Sequence, residues 1–107
     1  MSRRLLVRPL AEDDLDEQAL YIARDNVDAA LRFLEAAEAA FERLRSFANI
    51  GTRREFVHPD LSGVRSWPIP GFSKHLIFYR ANASSIEVLR VLHSARDLAE
   101  ILGPEFS

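Results

Sequence analysis

The stretch Val64–Asp97, VRSWPIPGFSKHLIFYRANASSIEVLRVLHSARD, decides the fold. It holds three runs rich in β-branched and aromatic residues, VRSWPI, KHLIFYRA and SIEVLRVL, parted by PGFS and ANAS. Pro, Gly, Asn and Ser supply the backbone angles and local hydrogen bonds of turns, so the runs predict a three-strand antiparallel meander. SIEVLRVL is apolar on both faces, which suits a strand with neighbours on either side. Behind it, Ser94 precedes Asp97 by three residues, ahead of Leu98, Ile101 and Leu102. That spacing approximates a capping box and predicts a short C-terminal helix.

Upstream the period changes. From Leu10 to Arg24 the apolar positions Leu15, Ala19, Leu20, Ile22 and Ala23 recur at helical spacing, and Glu12, Asp13, Asp14, Asp16 and Glu17 crowd the first turns. Carboxylates there complement the helix dipole and read as a solvated helix start. Asn26 offers a cap for a second helix, whose Ala30, Leu34, Ala37, Phe41, Leu44 and Ala48 sustain the same alternation with no Gly or Pro before Gly51. Two helices joined by about two residues form an antiparallel hairpin. Arg3–Pro9, RRLLVRP, reads as a strand closed by its proline and paired with the meander. The expected architecture is α+β: N-terminal strand, antiparallel helical hairpin, three-strand meander and short helix, in a single domain over residues 1–107 with the helices on one face of the sheet.

Composition narrows the chemistry. The chain has 107 residues, is 48% hydrophobic and contains no cysteine, so disulfides, thiolate nucleophiles and cysteine-based zinc sites are excluded and the chain reads as cytoplasmic. The apolar run near the N-terminus is too short for a signal peptide or a membrane span. Residues 1–50 hold 7 Arg and Lys against 10 Asp and Glu, whereas residues 51–97 hold 7 against 4, so a basic surface belongs to the later half.

Three segments carry a family likeness. LAEDDLDEQALYIARDN (10–26), DAALRFLEAAEAAFERL (28–44) and above all VRSWPIPGFSKHLIFYR followed by IEVLRVLHSARD resemble the ParE branch of the ParE/RelE toxin superfamily, the toxin halves of bacterial type II toxin-antitoxin pairs. The likeness spans nearly the whole chain. Ile50 stands where the family usually has a proline before its glycine, a departure confined to a loop. The resemblance implies a RelE/ParE-like fold and a toxin that inhibits DNA gyrase and blocks replication without cutting a bond itself. It implies no catalytic residue, metal or cofactor, no sequence-specific nucleic-acid contact, and a hetero-oligomer with a cognate antitoxin whose tail folds on binding. Two alternatives remain: a RelE-like ribosome-dependent mRNA endonuclease, and a non-toxic homologue that only binds antitoxin.

RNA cleavage through the 2′-hydroxyl requires a base, an acid and cations converging on one phosphate. Arg65, Lys74, His75, Arg80, His93 and Arg96 are present, but strand alternation turns neighbours such as Lys74 and His75 to opposite faces. A pI near 5.9 also opposes a ribosome-directed protein. For the target surface the candidates are therefore Arg65, Arg80, His93 and Arg96. The bland readings beside them are a satisfied structural histidine for His93, capping for Ser94 and Asp97, and a solvated loop for Arg53 and Arg54, which otherwise extend a basic face with Arg65. For antitoxin binding the expected groove lies where hairpin meets sheet, near Leu20, Phe33, Phe41, Trp67 and Phe72, with core packing as the competing role for the aromatic residues.

Overall fold

The structure, a computed structural model, describes residues 3–56 and 59–97. Strand β1 (Arg4–Val7) leads directly into helix α1 (Pro9–Ala23), because Pro9 ends the strand and its fixed φ suits the first helical position. Helix α2 (Val27–Ser46) starts at Asn26, whose side-chain oxygen accepts the Ala29 N–H at 3.0 Å. A two-residue strand β2 (Thr52–Arg53) and a single turn of 3-10 helix (Pro59–Leu61) precede the meander β3 (Arg65–Ile69), β4 (Phe72–Ala81) and β5 (Ser85–His93). The turns follow their chemistry. Pro70 and Gly71, the latter at φ 82°, close β3 onto β4, and the Asn82 side chain accepts the Ser84 and Ser85 N–H groups between β4 and β5.

The sheet order is β1-β5-β4-β3-β2, with β1 parallel to β5 and every other pair antiparallel. As expected for a strand apolar on both faces, β5 lies inside the sheet. The five-strand mixed sheet with two helices is the α+β arrangement predicted, enlarged by β2, a segment expected to be loop. Helices and sheet enclose the main core of Phe33, Phe41, Leu44, Ile69, Ile77, Tyr79, Ile86, Val88 and Val91. On the opposite face Val64, Phe78 and Leu92 are covered by Phe56 and Leu61. The Tyr79 hydroxyl ties the loop after α2 to the sheet, accepting the Gly51 N–H and donating to the Ala48 carbonyl.

The residues around the expected C-terminal helix adopt another cap. Ala95 and Arg96 donate their N–H groups to the imidazole Nδ1 of His93, while Asp97 accepts the His93 N–H at 2.7 Å. His93, one residue before Ser94, supplies the cap acceptor. Ser94–Asp97 form a turn, and the body of the expected helix, Leu98 to Leu102, lies outside the described residues.

Candidate functional site

β1 accompanies β5 only as far as Val88, so the outer edge of β5 from Leu89 onward lacks a strand neighbour. Helix α1 closes it with side chains. Asp14 accepts the Val91 N–H at 3.0 Å, and Gln18 donates to the Val91 carbonyl at 2.6 Å. Asp14 also holds Arg90 in a two-pronged ion pair at 2.8 and 2.9 Å, an arrangement that raises the affinity of Arg90 for its proton. A register shift between Phe78 and Tyr79 leaves Leu89 as the extra residue of β5, next to Arg90. Asp14 is thus buried and paired, not part of the solvated acidic helix start expected for Glu12–Glu17.

Behind this seam the Nδ1 of His75 bonds the Gln18 carboxamide oxygen, and its ring meets those of Phe33 and His93 at centroid distances of 4.8 and 5.0 Å. Since the Gln18 amide nitrogen is committed to Val91, neutral His75 donates from Nδ1. Burial, reinforced by His93 and then Arg96, pushes His75 from 6.5 down to about 4; Asp97 opposes this. His93 is also lowered, first by burial and then by Arg96. At the surface the Arg96 guanidinium lies 4.4 Å from the centre of the Tyr21 ring, with Arg24 at 5.7 Å. Leu20, Tyr21, Arg24, Arg90 and Arg96 line a cleft of about 500 Å³ between α1 and the end of β5.

The low value of His75 has a sign. The unfolded chain binds a proton near 6.5 and the folded chain only near 4, so stability is complete above about pH 6.5 and is lost as pH falls toward 4. Chemical denaturation across that window is expected to show a decrease on the order of 2 kcal/mol beyond that of the carboxylates. His75→Asn, which keeps a donor but does not titrate there, should remove that component.

The family model described as ParE toxin of type II toxin-antitoxin system, parDE, matches residues 5–98. The chain belongs to the ParE toxin family. It is 30% identical over 104 residues to Toxin ParE3 of Caulobacter vibrioides, covering 96% of this chain and 97% of that protein. A chain of the chromosomal ParDE TA system from P. aeruginosa shares the fold at TM-score 0.67 and 22% identity, over 86% of this chain and 96% of that one.

In this ParE-family chain the four candidate target residues do not form one surface. Arg96 lines the α1 cleft, and His93, whose Nδ1 accepts the Arg96 N–H, adjoins it. Arg80 pairs with Glu87 of β5, six residues from His93 and so about 20 Å along the strand. Arg65 lies opposite Tyr79 and bonds the Gly51 carbonyl at 2.8 Å, so it clamps the loop after α2. The expected antitoxin groove divides likewise. Phe33 and Phe41 are buried in the core, and Trp67 and Phe72 are half-buried against it, which leaves Leu20 as the exposed member. Sequence reasoning missed Tyr21, Arg90, Asp14 and Gln18. A signal existed: positions 14 and 18 fall on the same helical stripe as Ala11, Leu15, Ala19 and Ile22, so two polar residues face the sheet. No described helix is long and apolar enough to cross a membrane.

Proposed function

We propose that this chain is a toxin that acts by binding DNA gyrase, without chemistry of its own, and is neutralised by a cognate antitoxin. The observation that carries this reading is the ParE family match along residues 5–98. The site supports it through the cleft at α1, where Arg96 lies over exposed Tyr21 beside Leu20, an aromatic and guanidinium surface of the kind that anchors protein interfaces. The RNA-cleaving alternative draws less support: His75 is buried with its Nδ1 bonded to Gln18, and His93 Nδ1 is occupied by two backbone N–H groups.

Purified protein added to gyrase with supercoiled plasmid and ATP is expected to leave gyrase-dependent DNA breaks, and Arg96→Ala to weaken that effect while remaining folded. Cut mRNA in a parallel translation extract would instead make the cleft a nuclease site. Inactivity in both assays, with antitoxin still bound, would point to the non-toxic homologue.

For the antitoxin, the surface we favour is the exposed apolar set Leu20, Tyr21, Val27 and Leu31, which stands within two turns of the α1–α2 connection. Leu20 is 71% exposed, so Leu20→Lys should change the unfolding free energy by no more than about 0.5 kcal/mol. It is nevertheless expected to weaken antitoxin binding, measured calorimetrically, about tenfold or more. Unchanged affinity would remove Leu20 from the interface.

A further inference from the structure

Away from the α1 cleft, four arginines are spread across the width of the sheet, from Arg3 beside the β1 edge to Arg53 on the β2 edge. Arg3 and Arg43 line a hollow of about 480 Å³ with Phe47, Asn49 and Ile50. Arg65 reaches the same loop through the Gly51 carbonyl, and Arg53 faces Arg65 directly across the β2–β3 ladder. Like charges in register across a strand pair repel, so this pairing detracts from the isolated fold. None of Arg3, Arg43, Arg53 and Arg65 forms an ion pair among the described residues. Helix geometry accounts for part of this: Arg43 lies in the last turn of α2, where the dipole favours a cation. Arg65 is accounted for in part by its clamp on the loop after α2, but neither role explains Arg53, nor Phe47, which is 55% exposed at the rim with Arg43 5.2 Å from its ring centre.

We propose that this arginine-rich surface binds the phosphate backbone of nucleic acid, independently of sequence, with Phe47 stacking on an unpaired base. Among the described residues the Arg43 and Arg53 side chains bond no carboxylate or carbonyl and offer whole forks to phosphate oxygens. Arg3, bonded through Nε to the Asn82 carbonyl at 2.6 Å, and Arg65, bonded to the Gly51 carbonyl, add charge and their remaining N–H groups. The exposed ring beside them has a face that a base can cover. An acidic peptide would satisfy the arginines but would leave the ring without a planar partner. The chain's net charge of -2 does not oppose the assignment, because five of its 16 acidic residues crowd residues 12–17 of α1, away from the four arginines. This surface is separate from the one proposed for gyrase, and it would let the chain touch DNA that a bound topoisomerase holds.

The test is fluorescence anisotropy of the full chain with labelled oligothymidylate and a matched duplex, at salt from about 50 to 200 mM. Saturable binding is expected, with log affinity falling against log salt at a slope of roughly -2 to -3, as three to four phosphate contacts on a single strand require. Arg43→Glu with Arg53→Glu, both exposed positions, should weaken binding at least tenfold and flatten the slope. Arg32→Glu, the charge change of either single substitution placed at an exposed site on α2 away from the hollow, should leave binding within twofold. Phe47→Ala should abolish the preference for single strand over duplex. Absence of saturable binding at low salt, equal weakening by Arg32→Glu, or equally tight capture of polyglutamate would each overturn the proposal. The assay contains no gyrase, so its failure would leave the gyrase reading standing.

Discussion

Phe33→Ala is expected to lower the unfolding free energy by about 3–5 kcal/mol, the largest single effect among the substitutions considered. Phe33 is fully buried, and its ring meets Phe72 edge-on at 5.3 Å and His75 at 4.8 Å. Truncation removes the transfer free energy of the ring, opens a cavity between α2 and the sheet, and deletes both ring contacts. A thermal midpoint lowered by roughly 10 °C or more should accompany it. The residue also separates two roles: as a groove wall it would weaken antitoxin binding and leave stability intact, whereas as core it does the reverse order of damage, losing fold first. Phe33→Leu, which keeps most of the volume, should restore the greater part of the loss. A melting curve of Phe33→Ala that overlays the parent would contradict the burial.

Asp14→Ala is expected to lower the unfolding free energy by about 2–4 kcal/mol. The substitution leaves the Arg90 guanidinium and the Val91 N–H without their acceptor. The upper figures for a broken buried ion pair do not apply, because the Arg90 side chain retains 24% exposure and water reaches it. Asp14→Asn keeps one acceptor for Val91 and should lose about half as much. Arg90→Leu in the Asp14→Ala background should recover part of the loss, since removing both charges is less harmful than stranding one. Urea denaturation of the three variants measures this directly, and equal stability of Asp14→Ala and the parent would show that the pair contributes nothing.

The helices, the hairpin and the meander were legible because local signals agree: helical spacing from Leu15 to Ile22, the Asn26 cap, and Pro70-Gly71 between two β-branched runs. β2 was not, since Thr52 and Arg53 become a strand only by pairing with Ser66 and Arg65. Asp97 was legible as a capping carboxylate, which the His93 N–H uses, but His93 in place of Ser94 as the other acceptor was not, because an imidazole accepting backbone N–H groups leaves no sequence pattern. At the candidate site, His93 and Arg96 were legible as chemistry but not as neighbours of Tyr21, which lies some seventy positions earlier. The separation of Arg65 and Arg80 from them follows from strand register, which residue types alone do not give. Phe33 and Phe41 show the same limit: helical spacing places them on the stripe but does not say whether its far side is sheet or solvent.

The seam of Asp14 and Gln18 against Val91 also bears on how the chain behaves when it stands alone. A strand whose neighbour stops halfway ordinarily offers a template on which a second molecule polymerises. Here two side chains of a helix take the place of the missing strand, and the turn at Asp97 shields His93 in the same manner. Loosening α1 would therefore do more than soften the fold: it would uncover that edge and promote self-association, so variants at Asp14 and Gln18 should reveal themselves first by turbidity on concentration.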